Sequence, residues 1–308
     1  MGNTFCLPDE WLEDECCSLA VRCASMFSEL RRAQTRRSFD FQWGELPQGD
    51  AMLSDGWFRE NVDRVLVEEL LCLEREWFRG KRVLDAGCGL GRWTLGLLRL
   101  GCNVTAVDQS ARGLEALQGN MRLLVPEALA EGRLATRQVD LLELPPDLAA
   151  QRFDLVYSFG VLHHTGDTQR ALANVAALAA EDGLLFLYLY GSRSLDALRW
   201  SALAGLRTLL APLPFRAKVR ALRVLLPGRD PHQAFDTFSP LINDTLRHET
   251  VEGWLHALGF PEVVRTLDST ELYLRAQRRA DPRLPARLLP QRPYWFERYR
   301  RRPLPDRR

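Results

Sequence analysis

Three glycines stand at alternate positions between an apolar run and a run with helical spacing: Gly87, Gly89 and Gly91. Glycine lets the backbone turn tightly and leaves bare N–H groups at a helix N-terminus, where a nucleotide-like ligand can approach. Asp85 precedes the first glycine, and Cys88 lies between the first two. This segment predicts a strand, a glycine turn and a helix that together bind a nucleotide-like ligand. The alternative for a glycine motif taken alone is a turn with a purely structural role.

The spacing of these glycines indicates which nucleotide is bound. It is G-x-G-x-G, whereas the dinucleotide fingerprint is G-x-G-x-x-G and uses its third glycine for close packing of the helix on the strand. Asp85 also precedes the turn, where it can reach the charged amino group of a methionine moiety. Both features favour S-adenosylmethionine over a nicotinamide dinucleotide.

Acidic residues follow the next two strand-like runs. Val104–Val107 ends in Asp108 and Gln109. An acid at the tip of the second strand, about twenty residues after the glycines, is placed to accept hydrogen bonds from both hydroxyls of a ribose. A helix cap is the alternative role for Asp108. The third run ends at Asp140 and Leu141, where the carboxylate can accept from an adenine amino group and the leucine can lie against the ring.

A fourth strand-like run, 153–159, continues into a segment with two adjacent histidines, His163 and His164. From here the chain resembles the class I S-adenosylmethionine-dependent methyltransferases, especially their small-molecule, type 11-like group, in which a "vLhH" segment follows the fourth strand. The resemblance covers residues 81–190 through VLDAGCGLGRWT, VTAVDQS, VDLLELP, FDLVYSFGVLHHT and GLLFLYLYG, in the family's order. One departure is the segment 180–183, Ala-Glu-Asp-Gly in place of Pro-Gly-Gly, which we expect to change a surface turn only.

The resemblance implies a fold, a cofactor and a set of residues that bind it. The fold is α/β, a Rossmann-like seven-stranded, mostly parallel sheet with helices on both faces. The cofactor is S-adenosylmethionine, with S-adenosylhomocysteine as product. The expected cofactor-binding residues are Asp85, Gly87, Cys88, Gly89, Gly91, Asp108, Gln109, Asp140, Leu141 and Phe159.

Few catalytic groups are expected, because methyl transfer from a sulfonium needs mainly alignment of the acceptor. His163 and His164 lie where an acceptor's proton would be taken. His164 matches the family's histidine more closely and is expected to be a general base or a substrate-positioning residue; capping a helix is the alternative. Asp236 and His248 belong to a stretch that resembles a segment over the active site of related methyltransferases, and are expected to contact substrate.

Composition limits the class of protein. Of the 308 residues, 46% are hydrophobic, which excludes general disorder. The formal net charge is +1, so no specific nucleic-acid partner is predicted. The sequence lacks an apolar run near the roughly twenty residues that span a bilayer and has no signal-peptide pattern, so we expect a cytoplasmic protein with at most peripheral membrane contact. Four of the seven cysteines cluster at residues 6–23 without paired C-x-x-C knuckles, and no metal site is predicted.

The chain divides into four regions. We expect an N-terminal helical lid (1–80) with helices over 9–34 and 57–78, a methyltransferase core (81–191 and 250–279), a helical substrate cap inserted after the fifth strand (192–249) and a basic Pro/Arg-rich tail (280–308). The basic amphipathic stretches of the cap suit a lipid-like substrate or a membrane surface, and a packed helical subdomain is the alternative. Thr250 is the expected N-cap of a helix that precedes the last two strands.

The predicted function is transfer of a methyl group to an oxygen, nitrogen or carbon atom of a small or lipid-like metabolite. Two alternatives stay open. One is a non-catalytic module that binds S-adenosylmethionine and regulates a partner. The other is a nicotinamide-dependent oxidoreductase, which the glycine spacing disfavours. The sequence predicts neither the acceptor molecule nor the oligomeric state.

Overall fold

The described residues contain one central β-sheet of seven strands. The computed structural model describes residues 10–48, 52–191, 197–267 and 269–279, and its strands lie in the order β3-β2-β1-β4-β5-β7-β6. The strands are β1 (Arg82–Ala86), β2 (Asn103–Asp108), β3 (Leu134–Gln138), β4 (Phe153–Phe159), β5 (Ala179–Leu189), β6 (Glu262–Arg265) and β7 (Leu272–Gln277). β7 runs antiparallel to β5 and β6, and the other pairs are parallel. The predicted α/β fold with a seven-stranded, mostly parallel sheet is confirmed.

Helices cover both faces of this sheet. They are α1 (Glu10–Glu45), α2 (Gly56–Val65), α3 (Arg92–Arg99), α4 (Ala111–Leu124), α5 (Pro126–Ala130), α6 (Pro146–Ala149), α7 (Thr168–Ala177), α8 (Ala197–Leu210), α9 (Phe215–Leu225), α10 (Pro231–Phe238) and α11 (His248–Ala257). Successive residues of a strand point to opposite faces, so Val83 joins an apolar cluster with α2, α3 and α4, while Leu84 joins a second cluster with α7 and α11. Continuous apolar runs in the central strands follow from this burial on both sides.

The first helix is longer than the sequence suggests. The predicted helix over 9–34 was expected to end after two arginines, before an aromatic segment. In the structure α1 continues to Glu45, so that Phe39, Phe41 and Trp43 lie on the helix itself. The physical reason is that no glycine or proline interrupts residues 32–43, and the first proline beyond them is Pro47.

Other boundaries also differ from expectation. The predicted helix over 57–78 is broken: α2 gives way to a π-helical turn (Leu66–Leu71), which ends at Cys72 with φ +51°, and a 3-10 helix (Arg75–Phe78) follows. Helix α11 begins at His248 with Arg247 at its N-cap, so the prediction of Thr250 as N-cap was wrong. The segment 180–183, expected as a turn, lies within β5, where its pairing with β4 shifts register.

The described residues between β5 and α11 form three helices. α8, α9 and α10 bury a small apolar cluster of their own, against which Phe41 of α1 packs. The division of the chain into lid, core, cap and tail stays a prediction, and the expected tail at 280–308 lies outside the described residues, as does Cys6. Within the described residues, no helix is long and apolar enough to cross a bilayer, and no group of three or more potential metal ligands occurs.

Candidate active site

The glycine turn joins β1 to α3 at the carboxyl edge of the sheet. Gly87, Gly89 and Gly91 have φ values of +86°, +51° and +86°, a region that side chains other than glycine rarely adopt. A Cβ on Gly87 would lie 2.2 Å from Cγ2 of Val161, so this position also has no room for a side chain. The N–H groups of Gly87 and Cys88 both donate to the carbonyl of Val107, at 2.7 and 3.0 Å, which fixes the turn against β2.

Asp108 closes this turn from the end of β2. Its Oδ2 accepts the Gly89 N–H at 2.9 Å, and its Oδ1 accepts the Ser110 N–H at 2.8 Å. Burial raises the pKa of its carboxyl, against the effect of these hydrogen bonds. The carboxylate is half-buried and lines a cavity, so it can accept further hydrogen bonds from a ligand.

A cavity of about 560 Å³ lies where β1, β2, β4 and β5 end. Ligands of open parallel sheets bind at this edge. Helix α1 supplies one wall through Arg32, Arg36, Phe39 and Trp43, among others, and α10 supplies another wall. The remaining lining includes most of the expected cofactor residues, namely Gly87, Cys88, Gly89, Asp108, Gln109, Asp140, Leu141 and Phe159.

Two of the expected cofactor residues do not line this cavity. Asp85 is 2% exposed, and its Oδ2 accepts the Thr94 hydroxyl of α3 at 2.6 Å, so it holds this helix against β1. Its burial, partly offset by Thr94, raises its pKa to about 7. Gly91 packs against α4, where a Cβ would lie 2.7 Å from Leu117. Both residues support the turn, and their direct contact with the cofactor stays a prediction.

Asp140 is held by α1. Nη2 of Arg32 donates to its Oδ2 at 2.8 Å, while its Oδ1 accepts the Leu142 N–H at 2.9 Å. Val139 and Leu141 line the cavity beside it. The predicted adenine-binding corner is thus apolar on one side and carries a carboxylate whose Oδ2 is paired to an arginine of the first helix.

The two histidines of the 3-10 turn (Leu162–His164) differ in position. His164 lines the cavity, and its Nδ1 lies 2.8 Å from the carbonyl of Ile242. A carbonyl only accepts, so neutral His164 carries its proton on Nδ1 and leaves Nε2 with a lone pair. Burial lowers its pKa, which favours this neutral form. His163 is fully buried behind it against Tyr190, at 4.0 Å between ring centroids, and does not line the cavity.

Asp236 reaches the cavity and His248 does not. The Tyr190 hydroxyl donates to Oδ2 of Asp236 at 2.9 Å, and both residues line the cavity. His248 is the first residue of α11, and its Nε2 lies 3.7 Å from Glu252 one turn along the same helix. His248 does not line this cavity, since α11 packs on the sheet through Val251, and its contact with substrate stays a prediction.

Residues 84–185 match the family of methyltransferase domains. This segment is thus similar to methyltransferase domains. The likeness agrees with the predicted family and with S-adenosylmethionine as the expected cofactor.

The chain is similar to two curated relatives and one solved structure. An uncharacterized protein of Synechococcus sp. is 36% identical over 112 residues, 35% of this chain and 25% of that protein. The ubiquinone biosynthesis O-methyltransferase of Coxiella burnetii is 33% identical over 108 residues, 35% of this chain and 43% of that protein. The chain thus spans less than half the length of either relative. A magnesium protoporphyrin IX methyltransferase from Synechocystis, solved with S-adenosylmethionine, is 17% identical with a TM-score of 0.49, over 81% of this chain and 97% of its own.

Three residues of the cavity are not among the cofactor-binding and catalytic residues expected from the sequence. Tyr190 and His232 line it, and Trp43 lies between them and the glycine turn, 5.3 Å from His232 between ring centroids. A Cβ on Gly89 would lie 3.2 Å from the Trp43 ring. Tyr190 is the last residue but one of the motif GLLFLYLYG, so its position after β5 was a clue in the sequence. Trp43 and His232 lie on α1 and α10, and no motif specifies where these helices approach the sheet.

Proposed function

We propose that this chain is an S-adenosylmethionine-dependent methyltransferase that moves a methyl group to an oxygen, nitrogen or carbon atom of a small or lipid-like metabolite. The observation that carries the proposal is a single cavity that joins the glycine turn and Asp108 to His164, whose Nε2 is left with a lone pair. Its volume lies within the roughly 300–1,000 Å³ of small-molecule sites.

The residues at the glycine end fit a bound adenosine. Asp108 presents a carboxylate that accepts two backbone N–H groups and has lone pairs left for ribose hydroxyls. Leu141 and Val139 supply apolar contact for a base, and Gly87 and Gly89 line the same cavity without side chains that would fill it. When bound, S-adenosylmethionine supplies an activated methyl group on a sulfonium, and the protein has to align the acceptor with it.

The far end of the cavity fits an acceptor with an apolar, planar part. Phe39, Tyr188 and Tyr190 supply aromatic surface there. His164 lies at this end in edge contact with Phe39, at 5.0 Å between ring centroids. Its Nε2 is the atom we assign to accept a proton from the attacking group, with Nδ1–H held by the Ile242 carbonyl.

Asp236 and Tyr190 are the groups we assign to orient the acceptor. Their mutual hydrogen bond fixes both side chains at the cavity wall. The guanidinium of Arg207 lies behind them, with Nε donating to the Thr237 carbonyl at 2.8 Å. This arrangement leaves one carboxylate oxygen of Asp236, Oδ1, for a polar group of the substrate.

The test is transfer of labelled methyl groups from S-adenosylmethionine to a metabolite and lipid extract, followed by identification of the labelled product. The variant is His164→Ala, and the matched control is His256→Ala, an exposed histidine on α11 away from the cavity. We expect the first to lower kcat about 10²- to 10⁴-fold with cofactor affinity within a few-fold, and the second to leave both unchanged. Binding of cofactor without transfer to any acceptor would instead indicate the non-catalytic module.

A further inference from the structure

The segment 197–229, which contains α8 and α9, holds seven basic residues and no acidic residue. The whole chain carries a net charge of +1, so the residues outside this segment carry a net charge of −6. Positive charge is therefore concentrated in one helical pair. The basic residues are Arg199, Arg207, Arg216, Lys218, Arg220, Arg223 and Arg229.

Helix α9 has one buried face and one exposed face. Lys218, Val219 and Leu222 are buried against α8 and α10, and the opposite stripe is exposed. That stripe consists of residues at helical spacing i, i+4, i+7 and i+8: Arg216, Arg220, Arg223 and Val224. The outward face of α9 is therefore cationic along most of its length.

Part of this charge is not neutralised. Arg216 pairs with Glu45 of α1 at 2.8 Å. Among the residues that the structure describes, no acidic side chain forms an ion pair with Arg220, Arg223 or Arg229. Helix α9 thus offers cations to a partner from outside.

Large aliphatic side chains are exposed beside these cations. Leu209, Leu213, Val224 and Leu225 are 76%, 38%, 79% and 58% exposed, and they are four of the eight large hydrophobic residues exposed in the described part of the chain. Leu213 lies between two prolines in the turn from α8 to α9. An exposed mixture of arginine and aliphatic residues is typical of segments that rest in a bilayer interface.

We propose that the α8–α9 pair is a docking surface for an anionic lipid bilayer. Its charge complements any polyanion, but exposed aliphatic side chains gain free energy in acyl chains and none from a nucleic acid backbone. The surface also lies next to the cavity: Phe215 of α9 packs on Phe235 of α10, at 5.9 Å between ring centroids, and α10 lines the cavity through Asp236. Docking brings the wall of the cavity to the lipid surface.

The experiment is sedimentation of the full chain with vesicles of phosphatidylcholine alone and with about one third phosphatidylglycerol. We expect binding to the anionic vesicles only, weakened by salt. The double variant Arg220→Gln, Arg223→Gln loses two cations that contribute about 1 kcal/mol each near an anionic surface, so its partition coefficient falls about 30-fold. The matched control is Arg122→Gln, Arg170→Gln, two exposed arginines on α4 and α7, which binds like the wild type.

A second variant distinguishes lipid from other polyanions. Leu213→Ser, Val224→Ser keeps every charge and removes aliphatic surface, so we expect severalfold weaker vesicle binding and unchanged binding to a short RNA duplex. Equal vesicle binding by the wild type and the double arginine variant overturns the proposal. Tighter binding to the duplex than to vesicles also overturns it and assigns the surface to nucleic acid. Thermal unfolding verifies the fold of each variant, and none of these outcomes depends on methyl transfer.

Discussion

Replacing Asp108 with asparagine tests the ribose-binding role of this residue. The substitution removes the charge and one of the two acceptor oxygens that hold Gly89 and Ser110, at 2.9 and 2.8 Å. Hydrogen bonds to a charged acceptor contribute about 1.5–3 kcal/mol, against about 0.5–1.5 kcal/mol for neutral pairs. For two ribose hydroxyls the loss is about 2–3 kcal/mol, which corresponds to a Kd weaker by about 30- to 150-fold.

The effect of this substitution on folding works in the opposite direction. Burial raises the pKa of Asp108, so the folded state favours the protonated form more than the unfolded state does. Ionised Asp108 therefore lowers the free energy of unfolding at pH values above its unfolded pKa. Asparagine removes this cost but also one acceptor of the Gly89 and Ser110 N–H groups, so we expect the variant's unfolding free energy at pH 7.5 to stay near that of the wild type.

Calorimetric titration with S-adenosylhomocysteine measures the affinity, and thermal unfolding measures the fold. The matched control is Asp147→Asn, which removes a carboxylate that pairs with Arg137 on the surface, outside the cavity. A Kd for Asp108→Asn within about threefold of the wild type would refute the reasoning. So would equal weakening by the control.

Two further substitutions and one pH profile test other parts of the structure. Gly87 has φ +86°, and Gly87→Ala places a methyl group 2.2 Å from Val161. We expect the variant to lose cofactor binding and more than about 2 kcal/mol of stability in denaturant titrations. The control Gly119→Ala, which has open space around it in α4, should gain about 0.5–1 kcal/mol. Burial raises the pKa of Asp85 to about 7, so the free energy of unfolding of the wild type should fall as pH rises from 5 to 8. Asp85→Asn should remove up to about 3 kcal/mol of this decrease. Parallel pH dependence of the two proteins would contradict this. Because burial lowers the pKa of His164, kcat should hold as pH falls through 6.5, the ordinary value of histidine, and an acid limb centred at or above that value would argue against it as the base.

The sequence predicts the sheet and the glycine turn because each is specified by local pattern. Apolar runs, the glycine spacing and the acid at the end of β2 are separated by one strand-helix-strand unit, and the chain has few ways to arrange them. Asp108 lies beside Gly89 in the structure for this reason, although 19 residues separate them.

Contacts between distant segments could not be predicted in this way. Arg32 and Asp140 are 108 residues apart, and Tyr190 and Asp236 are 46 apart. Periodicity shows that α1 is a helix but not which part of the sheet it covers. The role of Asp85 also escaped prediction, because its hydrogen bond to Thr94 depends on the angle at which α3 leaves the turn.

The most direct test of the central claim is calorimetric titration of the wild-type chain with S-adenosylmethionine, S-adenosylhomocysteine and NAD. We predict micromolar binding of the first two and none of NAD, since the glycine turn and Asp108 form one end of a single cavity. Binding of NAD alone would contradict the account. Binding of none of the three would show that this cavity does not hold the cofactor of a methyltransferase.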